Sequence, residues 1–196
     1  ISVDNKGKKL YLDPQRQPDS DLIFISHAHT DHLYKCVKES GNKIITSKIT
    51  QKIAMHRGYK YGETFEEHGF ELLNSGHILG SNGLLIEDQM YYTGDISIRK
   101  RAFMDAAVVP KAKILIIEST FGHPDYYFPN FESTVHKANL IISEMYHRGI
   151  PVILLGYTLG KAQILTNVFR HWKPLIVHDS IACLLYTSPS PRDVEE

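Results

Sequence analysis

Cysteine is scarce: Cys36 and Cys183 are the only two in 196 residues. They lie far apart with no C-x-x-C spacing, which excludes a disulfide framework and a cysteine-type zinc site as expectations. A reducing, cytoplasmic setting is expected instead. Long apolar runs are also missing. None approaches the roughly 18 residues of a membrane span, and no basic stretch leading into an apolar one opens the chain as a signal peptide would. Neither sign of charge is in excess, because 22 Lys and Arg balance 22 Asp and Glu. That balance excludes a global basic field for polyanions, so any polyanion site must be local. With 42% apolar residues over this length, one sizeable core is expected, and two full-sized domains plus linkers are not.

Both ends read as cut. The chain begins at Ile1 and enters a β-hairpin midway, with Asn5 to Gly7 as its turn. From Cys183 onward the pattern breaks. Thr187-Ser188-Pro189-Ser190-Pro191-Arg192-Asp193 has the character of a translated adapter, and residues 183–196 are set apart as a non-native tail.

Between the ends, short β-rich apolar runs alternate with amphipathic segments. Strands are expected at Leu22 to Ile25, Ile44-Ile45, Phe70 to Leu73, Leu84 to Ile86, Met90 to Thr93, Ile114 to Ile117, Val152 to Leu155 and Leu175 to Val177. Helical spacing links Leu33, Cys36, Val37 and Ser40 before Gly41, and Ile49, Ile53 and His56 before Gly58. Longer helices are expected from Asn130 as N-cap to Gly149 and from Thr158 to about His171. Early hairpins followed by alternating strands and helices indicate an α/β sandwich, not a single parallel sheet. His27, Asp95, Glu118, Tyr157 and His178 each fall just past an expected strand, at the edge where such folds build ligand sites.

His27-Ala28-His29-Thr30-Asp31-His32 concentrates three imidazoles and a carboxylate, donors suited to Zn²⁺. His27 and His29, two residues apart at a strand end, can project to one side and chelate one ion. Asp31 and His32 open the following helix at another angle, so two metal centres follow more naturally than one. Further ligands must come from elsewhere. His77, in Ser75-Gly76-His77-Ile78-Leu79-Gly80-Ser81, and Asp95, in Thr93-Gly94-Asp95-Ile96, are the candidates. His56, His68, His123, His136, His147 and His171 lack ligand spacing.

In this order, H-x-H-x-D-H, G-H and G-D resemble the metallo-β-lactamase superfamily over residues 3–120. The resemblance implies a four-layer αββα sandwich of the α/β (α+β) class. It places His27, His29 and His77 on a first zinc, Asp31 and His32 on a second, and Asp95 as the bridging carboxylate. Asp13, in Tyr11-Leu12-Asp13-Pro14, matches an early Asp that orients a ligand; it also reads as a turn Asp before Pro. Two ions about 3.5–4 Å apart can share a hydroxide at neutral pH, aim it in line, and neutralise the charge growing on a phosphoryl or carbonyl oxygen. Hydrolysis is the implied chemistry, with the substrate open.

Glu118-Ser119-Thr120-Phe121-Gly122 resembles the acidic motif of the β-CASP nuclease branch, which implies that Glu118 tunes or places a general acid and so joins Asp31 and Asp95 in catalysis. A turn Glu is the other reading. With His123-Pro124-x-Tyr126, Tyr157-Thr158-Leu159-Gly160-Lys161-Ala162-Gln163 and Ile176-Val177-His178, the similarity extends to exonuclease-like RNA 3′-end processing factors and DNA-ligase-associated exonucleases, over residues 3 to about 182. It implies a nuclease, an exonuclease by preference, acting on RNA or single-stranded DNA, with a DNA ligase or an RNA-processing factor as partner. It also divides the chain into a metallo-β-lactamase-like region (1–130), a partial β-CASP-like α/β region (131–182) and the tail. Family members finish the second metal's shell with a distant His in a Gly-His-Ala-like context. Nothing after His178 resembles it, so a longer native protein is expected, with the first zinc held better than the second in this chain.

Substrate contacts stay two-sided. Arg99 and Lys100, beside Arg101, Lys111 and Lys113, can meet a phosphate backbone or form a solvated charge run. Around Lys161, free backbone N–H groups and a helix dipole can hold an anion, or Thr158 can simply cap the helix. Tyr126-Tyr127-Phe128 can stack bases or pack their own loop. His178 is suggestive by position alone. Two rival functions remain: hydrolysis of a small thioester or lactam, against which Glu118 and Gly160-Lys161 speak, and a non-catalytic scaffold subunit, against which the intact early ligands speak.

Overall fold

A computed structural model describes residues 1–18, 22–35, 43–61, 64–66 and 68–187, with 185–187 described by backbone alone. It is a mixed α/β structure with two mixed sheets and, among the described residues, four α-helices. The first sheet has the order β1 (Ser2–Asn5), β2 (Lys8–Leu12), β3 (Leu22–Phe24), β4 (Lys43–Ile45), antiparallel between β1 and β2 and parallel thereafter. The second has the order β5 (Phe70–Asn74), β6 (Asn82–Ile86), β7 (Met90–Tyr92), β8 (Ile114–Ile116), two hairpin pairs followed by a parallel one.

Alternation along the strands explains why the sheets stack. Leu10, Leu12, Leu22, Phe24 and Ile45 point from the first sheet into one apolar cluster with Leu84, Ile86 and Tyr92 of the second. Ile23, Ile25 and Ile44 point the other way and pack with Ile53 and Ala54 of α1 (Lys48–His56). Strand β3 thus has both faces covered, which is why its sequence is uninterruptedly apolar. Ser47 caps α1 by accepting from the Thr50 N–H at 3.0 Å, a hydroxyl satisfying one of the orphan donors of a helix start.

The later helices are α2 (Phe131–His147), α3 (Lys161–Val168) and α4 (Asp179–Thr187). Asn130 caps α2 as its sequence indicates, with Oδ1 accepting from Ser133 N–H at 3.2 Å. Helix α3 starts at Lys161, not at Thr158, because Gly160 at φ 88° takes a conformation no helix contains. The apolar runs 152–155 and 175–177 form no strand ladder. A strand needs a neighbour for its N–H and C=O groups, and here Ile153, Leu155 and Ile176 stand more than four-fifths exposed. His27 to His32 contain a single 3₁₀ turn, Thr30–His32. The helix expected through Cys36, Val37 and Ser40 lies outside the described residues, as do 188–196. Residues 183–187 continue α4, and Leu184 is buried against the α1 side of the core. No helix among the described residues is long and apolar enough to cross a membrane.

Candidate metal centre

Topology brings the motifs to one edge. Strands β7 and β8 run parallel with Tyr92 opposite Ile116, so Asp95 and Glu118 emerge side by side. Strand β6 runs antiparallel to β7, which puts the 75–81 loop preceding it at that same edge. The first sheet joins there through the Asn82 N–H, which donates to the Ser26 carbonyl at 2.9 Å.

Gly94 makes the junction possible. At φ 55°, a Cβ on it would lie 2.5 Å from Ser26 Cβ, so the chain can pass Ser26 only without a side chain.

His27, His29, His77 and Asp95 each offer a ligand atom within 4.8 Å of the others. His29 Nδ1 lies 3.0 Å from His27 Nε2 and 3.2 Å from His77 Nε2, and Asp95 Oδ2 lies 3.3 Å from His77 Nε2 and 3.8 Å from His27 Nε2. Four donors held tetrahedrally at about 2.0–2.2 Å from one ion are about 3.3–3.6 Å apart. The cluster therefore fits a single divalent cation. Asp95 Oδ1 turns to a different partner, His32 Nε2 at 3.3 Å, and His32 Nε2 is 3.7 Å from Asp31 Oδ2. Asp31 is exposed while His27 is fully buried, so the second donor group is the open one.

His27, His29 and His32 each have the other nitrogen occupied, which decides which nitrogen faces the cluster. Ser26 Oγ donates to Asp13 Oδ2 at 2.6 Å and therefore accepts from His27 Nδ1 at 2.9 Å. Asp13 Oδ2 also takes His32 Nδ1 at 2.8 Å and the Tyr92 hydroxyl at 2.9 Å, while Oδ1 takes the Ser26 N–H at 2.7 Å. His29 Nε2 meets the Leu159 carbonyl at 3.2 Å, across 130 residues of sequence. Main-chain carbonyls of the loops are held as well: Arg57, at the end of α1, donates to Ala28, and Arg101 Nη2 donates to Gly76 at 2.9 Å and His77 at 3.0 Å.

Electrostatics agree with the donor roles of His27 and His77, whereas His32 must lose a proton before it can hold an ion. Burial, reinforced by the imidazoles of His32, His77 and His29, pushes His27 far below the ordinary histidine range. Burial also outweighs Asp95 and lowers His77 to about 4, so both rings stay neutral with a lone pair to give. Burial opposes a charged His32, but hydrogen bonds to Asp13 and Asp95 override it and raise the ring to about 10. Burial likewise opposes the Asp95 carboxylate, and the hydrogen bond and charge of His32, with His77 and His29, hold it below its usual value.

The other sequence candidates are distributed around this cluster. Glu118 Oε1 accepts from the Ile96 N–H at 2.9 Å, directly beside Asp95. Arg99 donates to the Phe128 carbonyl at 3.1 Å, and Lys100 pairs with Asp105 at 3.1 Å, both exposed. Phe121, Tyr126 and Phe128 pack on one another, with Phe121 5.0 Å from Phe128, while Tyr127 is 87% exposed. Lys161 Nζ sits 5.7 Å from the Tyr157 ring. Two of the backbone donors around Lys161 are taken: Gly160 N–H by Gln163 Oε1 at 2.6 Å and Ala162 N–H by the Tyr157 carbonyl at 3.0 Å. His178 is exposed and caps α4, its Nδ1 accepting from the Ser180 N–H at 3.2 Å. Sequence reasoning missed Ser26, Arg101, Leu159 and Gln163. Arg101 stood within a noted charge run, but a carbonyl acceptor such as that of Leu159 carries no sequence signature.

No family model matches the chain. It is 30% identical to an RNase J-like protein of Methanocaldococcus jannaschii over 177 residues, covering 86% of this chain and 40% of that protein. It is 32% identical to transcription termination factor FttA of the same organism, covering 79% of the chain and 26% of that protein. A probable DNA ligase of Opitutus terrae is 29% identical over 79% of the chain and 16% of its own length. The chain thus spans less than half of each of these relatives. These similarities, at modest identity, agree with the order of motifs and the donor cluster and indicate the metallo-β-lactamase/β-CASP nuclease family.

Proposed function

We propose that the chain carries the metal centre of a zinc-dependent phosphodiester hydrolase that cuts RNA, or single-stranded DNA, by preference as an exonuclease. The carrying observation is the division of Asp95, with Oδ2 beside His27 and His77 and Oδ1 beside His32. One carboxylate shared by two donor groups is the arrangement two neighbouring ions require. His27, His29, His77 and Asp95 would hold the first ion; Asp31, His32 and Asp95 would hold the second with fewer protein donors. When bound, divalent ions supply Lewis acidity toward a water and toward a phosphoryl oxygen.

The chain's own residues supply the rest. Ser26, the Leu159 carbonyl and Asp13 orient His27, His29 and His32. Glu118, fixed by the Ile96 N–H, is a carboxylate beside Asp95 that can place a proton donor for the leaving oxygen. Arg99, Lys100, Lys161 and His178 are surface groups that a nucleic-acid strand can meet, with Arg99 and Lys100, which follow Asp95 closely in sequence, the favoured pair. The stacked sheets with α1 outside them are read as the core of a four-layer αββα sandwich over residues 1–130, and α2 to α4 as part of a β-CASP-like region. The relative named as an RNase J-like protein supports RNA as substrate, and the ligase relative supports DNA and a ligase partner.

The test is cleavage of end-labelled single-stranded RNA and DNA by purified, zinc-loaded protein, beside Asp95→Asn and a chelated sample. Shortening of the strands in the wild type alone is expected. Intact oligonucleotides despite bound metal contradict the proposal.

A further inference from the structure

The segment Tyr157 to Gln163 reads from sequence as an anion cradle or a helix start capped by Thr158; in the structure α3 starts at Lys161 with Gly160 as its N-cap, and the turn before it packs against the His-rich loop. Leu159 is buried among Ala28, Leu33 and Ile78, next to the His-rich loop. Gly160, at φ 88°, lies so near Ile78 that a Cβ would sit 2.5 Å from its Cγ2. The turn is pressed onto the metal centre, and its carbonyl at Leu159 reaches His29 Nε2 at 3.2 Å.

What holds the turn in that pose is Gln163. It is 7% exposed, an uncommon place for an amide. Both ends of its side chain are used: Oε1 accepts from Gly160 N–H at 2.6 Å and Nε2 donates to the Thr158 carbonyl at 2.8 Å. The amide therefore brackets Leu159 from the residue before and the residue after. A carbonyl oxygen only accepts, so His29 must donate from Nε2, and its neutral ring then carries the lone pair on Nδ1. Nδ1 is the atom 3.0 Å from His27 Nε2 and 3.2 Å from His77 Nε2.

We propose that Gln163 is a positioning residue of the metal centre, clamping the 158–160 turn so that the Leu159 carbonyl locks His29 in the tautomer whose Nδ1 faces the cluster. The metal part of this rests on the functional reading above; the tautomer part does not. It makes the region after residue 150 a working component of a site whose ligands all lie before residue 96. Removing such an outer partner of a metal-binding histidine weakens metal affinity about 10–100-fold.

The experiment measures the His29 tautomer by long-range ¹H–¹⁵N correlation in metal-free, ¹⁵N-histidine-labelled protein, and zinc affinity by competition with a chromophoric chelator. Wild type is expected to show Nε2–H alone. Gln163→Leu, which cuts both bonds at similar volume, should give a tautomer mixture and affinity about 10–100-fold weaker. Gln163→Glu keeps the acceptor for Gly160, loses the donor to Thr158, and should fall between; it also decides the matter should the Leu variant not fold. Phe169→Leu, buried at the far end of the same helix, should lower the melting temperature and leave tautomer and affinity at wild-type values, which separates positioning from general loosening. Wild-type tautomer and affinity in Gln163→Leu, or in Gln163→Glu if the former is unfolded, overturn the proposal. A wild type that binds no zinc while His29 responds to Gln163 defeats the functional reading and leaves the lock standing.

Discussion

Ser26 stands between Asp13 and His27, donating to the one and accepting from the other. Ser26→Ala removes the acceptor and leaves the buried His27 Nδ1–H without a partner, at a cost of about 1–3 kcal/mol. Zinc affinity should fall about 10–100-fold as His27 loses its fixed tautomer; chelator competition measures it. Arg101 behaves differently from its two basic neighbours because its Nη2 serves two carbonyls of the His77 loop. Urea denaturation should show Arg101→Met losing about 1.5–3 kcal/mol, whereas Lys100→Ala, an exposed ion pair, should stay within about 0.5 kcal/mol. The ligand candidates were legible because ligands are side chains strung on short motifs. Their supports were not, since Ser26 is an ordinary serine by sequence and the partner of His29 is a peptide carbonyl 130 residues away.

At the scale of elements, the strands from residue 22 to 116 follow from short β-rich apolar runs, and the helix after Asn130 follows from its cap. Val152 to Leu155 and Leu175 to Val177 have the same composition and form no ladder. Apolar, β-branched sequence makes a strand only where another strand offers hydrogen bonds, and that information is not local. The tight loops carry their own constraint. Gly94→Ala adds a Cβ at positive φ against Ser26, and strain plus overpacking should cost about 2–4 kcal/mol. Because Gly94 immediately precedes Asp95, the same variant should weaken zinc binding as well; equilibrium unfolding and metal competition on one preparation check both. Unchanged stability would mean that the β7 loop does not pass Ser26 as closely as described.

For the whole molecule, the candidate metal centre draws on both sheets and the later region: His27 and His29 follow β3, His77 precedes β6, Asp95 follows β7, and Leu159 arrives from just before α3. An ion bound there stabilises the assembled state and not the unfolded chain, by about 2.7 kcal/mol at a free concentration of 100 times Kd. Chelation should therefore lower the melting temperature of wild type by more than that of His77→Ala, as differential scanning fluorimetry can show. The convergence of His27, His29, His77 and Asp95 is the claim on which everything else depends. X-ray absorption at the zinc edge, on protein loaded with one equivalent, reads it directly: three imidazole nitrogens and one carboxylate oxygen at about 2.0–2.2 Å are expected in wild type, with one imidazole fewer in His77→Ala. A zinc shell with fewer than three imidazoles, or one that His77→Ala leaves unchanged, contradicts it.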